Sequence, residues 1–296
     1  MRFVTFDDGG PPRAGVLDGG VHDLSHPAMA AALNGTPPDM LALIQAGLGD
    51  MAARIAGHGL DPDARVPAPR LLAPLRNPGR IVGIAHNYRD AIAERGATPP
   101  DAPVQFEKHP SSLIGPGAPI ILPAGIGGVT YEAEIAAIIG TRAEAVAPEQ
   151  GLAHVTAYAV FNDISASALI RRDGRFDRGK NLPSFGPFGP FLATANEVPD
   201  PQSLRVGLTR NGIALQDGST ATMLFGIAQL IAILSRQSPL MPGDVIATGT
   251  PAGAAPARNP PTWIQPGDTL TAWVEGLGEL TNPVIEGPAW HDHPIS

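Results

Sequence analysis

The stretch VTYEAEIAAIIG, residues 129–140, places two glutamates, Glu132 and Glu134, at the mouth of an uninterrupted apolar run. Residues i and i+2 of a strand share a face, so both carboxylates look into one space as the chain enters a core. Like charges so placed repel unless water, a proton or a cation relieves them. Spacing alone leaves two readings: a solvated strand face, or half of a cation site. A second apolar strand, VTAYAVFNDIS (155–165), carries Asp163 at its polar end. Three carboxylates from two strands, with no His or Cys among them, would suit a hard divalent ion, Mg²⁺ before Mn²⁺ or Ca²⁺.

The rest of the composition narrows the function classes. The chain has 296 residues, 43% of them hydrophobic, enough for one large domain or one with a small appendage. Its net charge of -8, with 20 Lys plus Arg, offers no basic patch for nucleic acid or an anionic membrane, so a small-molecule substrate is expected. The absence of cysteine removes disulfides, thiolate nucleophiles, zinc–cysteine sites and iron–sulfur clusters. MRFVTFDDGG at the start meets two aspartates before a signal-peptide core could form, and MLFGIAQLIAIL (223–234) is too short to span a bilayer. The expected location is cytoplasmic. With 33 prolines and 35 glycines, many short strands are expected rather than a helical bundle.

Along the chain, alternation in RFVTF, AGVL and VHDL predicts a small hairpin assembly, and residues 39–59 carry apolar positions at helical spacing. A proline-rich segment follows, giving a small N-terminal α+β domain over 1–70, a connector at 71–79, and the main domain over 80–296. In the main domain RIVGIA (80–85) reads as a buried strand. HNYRDAIAERG reads as a short helix capped by Asn87 and ended by Gly96, and 204–218 as a hairpin about Asn211-Gly212. One long last strand is expected over 270–285. GRFDRGKN (174–181) falls short of a phosphate loop, because Asn181 stands where Ser or Thr is needed and the following prolines forbid the helix. The terminal HDH (291–293) reads as a tail.

RIVGIAHNYRDA, KHPSSLIGPGAPIILP, YEAEIAAIIG, AVFNDISA, GKNLPSFGPFGPF and PGDVIATGTPAG occur in the order and spacing of the fumarylacetoacetate hydrolase family, and cover about residues 80–285. The resemblance implies an α+β, mainly β fold, with a mixed β-roll catalytic domain behind a small N-terminal domain, usually as a homodimer. It implies Mg²⁺ held by Glu132, Glu134 and Asp163, and a 2-oxo acid substrate. By position, Lys180 matches the lysine that meets substrate oxygens. Thr250 matches the threonine that binds the substrate carboxylate, and Asn87 and Tyr88 match the NY pair at the pocket entrance. A cation chelated by a 2-oxo acid would stabilise an enolate, which could serve carbon–carbon hydrolysis, decarboxylation or isomerisation.

The chain also departs from the family's pattern. Ala91 stands where a lid histidine is common, although Glu94 is kept three residues on. Ser167 and Ile170 replace an arginine and a glutamine that often contact substrate. His86 and His109 are imidazoles that could titrate near neutrality, and Arg171 and Arg172 could clamp a carboxylate. The expectation is therefore a Mg²⁺-dependent hydrolase of an acylpyruvate-like 2,4-dioxo acid. Glu94, with help from His86, would activate water, while Lys180, Thr250 and Tyr88 would hold substrate. The alternatives are an isomerase or decarboxylase of a related 2-oxo acid, or a catalytically silent metal-binding member.

Overall fold

The run Ala133–Ile139 is buried at every position because it lies in the middle of a sheet covered on both faces. Its odd residues, Ile135, Ala137 and Ile139, share a core with Val206, Leu208, Leu270 and Ala272 of a second sheet. Its even residues, Ala136 and Ile138, join Phe161 against Leu43, Ile44, Leu48 and Met51 of the N-terminal helices. A strand sandwiched in this way needs no polar face, which is why the alternation stops after Glu134. The computed structural model describes residues 1–291, so Asp292 and His293 of the terminal HDH lie outside the described residues.

The large sheet has twelve strands, whose main path runs, by first residue, 65, 21, 13, 2, 186, 155, 133, 245, 81, 104. The strand Arg2–Asp7 pairs with Gly186–Thr194, so the N-terminal segment extends the sheet that carries the glutamates. Helices Met40–Gln45 and Leu48–His58 pack on one face of that sheet. Asp39 caps the first through Leu41 and Ala42 amides, and Gly47, in the left-handed region, separates the two where one helical stretch was expected. A five-stranded sheet covers the other face, in the order 213, 205, 269, 278, 120. It contains the Asn211-Gly212 hairpin, both turn residues at positive φ. The expected single last strand is instead a hairpin of Thr269–Val274 and Gly278–Ala289, with Gly276 and Gly278 at positive φ. The fold is mixed and mainly β.

Strand directions place the site. Val155–Asn162 and Val245–Ala247 both run antiparallel to Ala133–Ile139, and Ile81–Ala85 is parallel to Val245–Ala247. Three strand carboxyl ends therefore converge where the glutamate strand begins, and each continues into candidate residues: Asp163, Thr250, and His86 to Tyr88. No helix among the described residues is long and apolar enough to cross a membrane.

Candidate active site

Glu132, Glu134 and Asp163 meet at this sheet end, each offering an oxygen within 4.8 Å of the others. Glu134 and Asp163 are buried, and Glu132 reaches the edge of a cavity. The backbone sets the convergence: the Asp163 amide donates to the Glu132 carbonyl, and Asn162 Oδ1 accepts from the Glu132 amide at 3.0 Å. Glu134 Oε2 accepts from the Gly249 amide at 2.9 Å. Gly249 sits at φ +93°, and a Cβ there would stand 2.8 Å from the Ile84 carbonyl, so only glycine lets this amide approach.

Two buried lysines answer the acids. Lys180 Nζ lies 2.8 Å from Glu132 Oε2 and 2.5 Å from Asp163 Oδ2. Burial works against its charge, but Asp163 and Glu132 outweigh that and push its pKa up. Lys108 Nζ lies 2.8 Å from Asp163 Oδ1, and donates to the carbonyls of Lys180 and Phe185. Burial pulls its pKa down. Burial first, then Asp163 and Glu132, pushes the Glu134 carboxyl well up.

These residues fit a hard divalent cation. Asp163 Oδ1 is buried and meets the Lys108 ammonium at 2.8 Å, so three carboxylates face two buried ammonium groups. A donor set made only of carboxylate oxygens, with more negative than positive side chains, matches that ion class.

The cavity that Glu132 lines has a volume of about 280 Å³. Lys180, Glu132 and Thr250 form its polar end; Ile84, Ala91, Ile92, Ile170, Phe176 and Pro256 supply apolar wall; His86, Arg95, Ser167 and Arg171 also line it. Thr250 Oγ1 is committed internally, donating to the Ala133 carbonyl and accepting from Gln216 Nε2, both at 2.8 Å. Its amide makes no hydrogen bond among the described residues. Gln216 also accepts from the Ala133 amide at 3.0 Å, so one buried amide ties Thr250 to the residue between the two glutamates.

The entrance residues are distributed differently from the sequence expectation. Asn87 does not cap the helix Arg89–Glu94, whose N-cap is Tyr88 without a side-chain bond. Asn87 bonds instead to Phe225 and to the Thr248 carbonyl, because its peptide neighbours bring it beneath that loop. Tyr88 is fully buried and outside the cavity wall; burial and then Glu134 push its phenol pKa well up. Glu94 is exposed outside the cavity, and Oε2 accepts from the Gly253 amide at 2.8 Å. His86 lines the cavity in the left-handed region at φ +56°, its pKa lowered by burial, then Arg95. His109 bonds through its amide to Asn181 and lies outside the cavity wall, as does Arg172.

The family model described as "Fumarylacetoacetate (FAA) hydrolase C-terminal" matches residues 80–285. The chain belongs to the fumarylacetoacetate hydrolase family. A curated relative in Burkholderia cenocepacia (strain HI2424), whose name goes no further than a hydrolase, is 39% identical over 94% of this chain and 97% of its own. Maleylpyruvate hydrolase from Sphingobium sp. SYK-6, solved in complex with manganese(II) and pyruvate, superposes with a TM-score of 0.78 at 31% identity, over 97% of this chain and 100% of that one. A 5-carboxymethyl-2-hydroxymuconate delta-isomerase from Mycobacterium smegmatis superposes at 0.75 with 28% identity, over the same shares. The family thus spans hydrolases and isomerases, and supports an enzyme here.

Lys108, Gln216 and Arg95 escaped the sequence reading. Lys108 stood inside a quoted motif, but a lysine after a strand looks the same buried or solvated. Gln216 had one usable signal, its position in the hairpin beside Leu215, yet alternation does not say which face meets the site.

Proposed function

We propose that this protein is a divalent-cation-dependent hydrolase, with Mg²⁺ the preferred ion, that cleaves a carbon–carbon bond in an acylpyruvate-like 2,4-dioxo acid. The observation that carries the reading is the cluster of Glu132, Glu134 and Asp163, which reaches a cavity through Glu132 and has Lys180 beside it. Bound by those three carboxylates, the cation would polarise the 2-oxo group of a substrate. Lys180, now balancing the acids, would be free to meet substrate oxygens once the ion takes over that role. The Thr250 amide would receive the 2-oxo acid's carboxylate. Water would add at the 4-oxo carbon, and cleavage of the bond between carbons 3 and 4 would give pyruvate and a second acid.

Glu94 is the proposed base, and it must release the Gly253 amide and swing inward to act. That requirement favours one second reading. His86 Nδ1 is engaged by Arg95 and Glu94 lies outside the cavity lining, so among the described residues no uncommitted carboxylate or imidazole base lines the cavity. The alternative is loss of a carboxylate carried on carbon 3 of a 2-oxo acid: the electrons of the broken bond pass to the polarised 2-oxo group as an enolate, carbon dioxide leaves, carbon 3 is then protonated, and no activated water is needed. A panel of 2,4-dioxo and 2-oxo dicarboxylic acids, followed by ultraviolet absorbance with and without Mg²⁺, separates the two. Pyruvate plus a carboxylic acid supports hydrolysis; carbon dioxide without cleavage of the dioxo acids supports the alternative. No turnover of any member refutes both. A homodimer in the cytoplasm completes the proposal; light scattering on purified protein tests the assembly.

A further inference from the structure

Asn181 follows Lys180 directly, and its side chain fastens the segment that carries Lys180 to the large sheet. Val104–Lys108 is the last strand of that sheet and pairs on one side only, with Ile81–Ala85. Its outer edge therefore presents amides and carbonyls that no strand satisfies. Asn181 takes two such groups: Oδ1 accepts from the His109 amide at 2.6 Å, and Nδ2 donates to the Glu107 carbonyl at 2.9 Å. These are the residues on either side of Lys108. Nδ2 donates also to the Asp177 carbonyl at 3.0 Å, across the turn Asp177–Lys180.

The amide's orientation is fixed by its partners, because its nitrogen meets two carbonyls and its oxygen meets an N–H. Aspartate there would turn a second oxygen toward two carbonyls, and leucine would keep the shape with no donor or acceptor. The two buried lysines are thereby held in one frame. Lys108 Nζ donates to the Lys180 carbonyl, and the two ammonium groups reach Asp163 at 2.8 Å from Oδ1 and 2.5 Å from Oδ2. On its other side the turn is packed tightly: a Cβ on Gly179 would stand 2.4 Å from Ile170 Cγ1 and 2.9 Å from the Ala166 carbonyl. The link through Asn181 closes the frame between Lys180, which lines the cavity, and Lys108, which does not.

We propose that Asn181 is a positioning residue: by fastening the Lys180 turn to the strand of Lys108, it holds the Lys180 ammonium where that group meets substrate oxygens. This rests on the role given to Lys180 in the reading above. An ammonium on a flexible four-carbon stem loses much of a hydrogen bond's worth to ordering, and a backbone fixed in advance lowers that cost. Asn181, which as a sequence feature only ruled out a phosphate loop, thus acts on the substrate through its neighbour.

The test is a double-variant cycle read by calorimetry, with pyruvate binding measured at saturating Mg²⁺ and Mg²⁺ binding measured on the metal-free protein. Lys180→Met should weaken pyruvate binding by about tenfold to a hundredfold, the worth of a charge-assisted hydrogen bond. Asn181→Leu should weaken it by about fivefold or more while Mg²⁺ affinity stays within about threefold of wild type. In the Lys180→Met background, Asn181→Leu should cost less than about twofold further, because the group it acts through is already gone. Asn181→Ser, which removes less, should fall between wild type and Asn181→Leu, and carries the cycle if the leucine variant does not fold. Equal losses in both backgrounds, an unchanged pyruvate affinity in the folded Asn181 variants, or a fall in Mg²⁺ affinity as large as the fall in pyruvate affinity overturns the proposal. If wild type and Lys180→Met bind pyruvate alike, or wild type does not bind it, the role given to Lys180 fails first and this inference falls with it.

Discussion

Replacing Glu134 by Gln separates the electrostatic account from ordinary packing, because the two predict opposite signs for the metal-free protein. The carboxylate oxygens of the cluster lie within 4.8 Å of one another. At an effective dielectric of about 20, each like-charged pair at that distance costs about 3.5 kcal/mol. Lys180 and Lys108 offset part of this, but burial and the neighbouring acids still push the Glu134 carboxyl well up, so ionising it in the metal-free protein is costly. Gln is nearly isosteric and its Oε1 can still accept from the Gly249 amide. Metal-free Glu134→Gln should therefore be as stable as wild type, or more stable by about 1 kcal/mol. With Mg²⁺ at about a hundred times its Kd, wild type should gain about 2.7 kcal/mol. For a chain of this size that is a rise in Tm of about 4 °C. The variant should gain almost none of it. Thermal unfolding of both proteins, with and without Mg²⁺, reads all four quantities. A variant destabilised by several kcal/mol without metal, or one that keeps the full Mg²⁺-induced rise, would refute the reasoning.

Three further outcomes follow from the same geometry. Lys108→Met leaves Asp163 with Lys180 as its one buried cationic partner and should destabilise the metal-free protein by about 2–3 kcal/mol, while the Mg²⁺-induced rise in Tm grows because a competing positive charge is gone; an unchanged or smaller rise contradicts this. Gln216→Leu strips hydrogen bonds from the Ala133 amide, Thr250 and the Pro251 carbonyl and should cost about 3 kcal/mol by denaturant unfolding, with weaker Mg²⁺ binding by calorimetry, whereas a loss of stability at wild-type metal affinity would limit Gln216 to packing. Glu94→Gln should keep Mg²⁺ affinity and lower hydrolysis of a dioxo acid by about a hundredfold or more; wild-type turnover would remove Glu94 as the base.

The elements legible in the sequence were those whose signal is local. The parity of Glu132 and Glu134 put both carboxylates on one side of a strand, and Asp163 at the end of a neighbouring run supplied the third donor. The family resemblance joined them, as alternation could not, since register between distant strands is not written in either strand. What stayed hidden depends on which way a long side chain turns. Lys108 reads as an ordinary lysine until the sheet brings it to Asp163, and Arg95 reads as the charged end of a helix until the cavity forms beside it. Asn87 looked like a cap because it precedes a helix, but its three hydrogen bonds go to segments more than a hundred residues away. The break at Gly47 and the last hairpin were missed for a simpler reason: apolar spacing continued across both, and positive φ at Gly47, Gly276 and Gly278 overrode it.

The most direct measurement is an anomalous difference map from crystals of the wild-type protein soaked with Mn²⁺ and pyruvate. The account predicts a single strong peak within coordinating distance of Glu132, Glu134 and Asp163, with the pyruvate oxygens on the cavity side near Lys180 and the Thr250 amide. A map in which the three carboxylates stay with Lys180 and Lys108 while manganese binds elsewhere, or not at all, would contradict it.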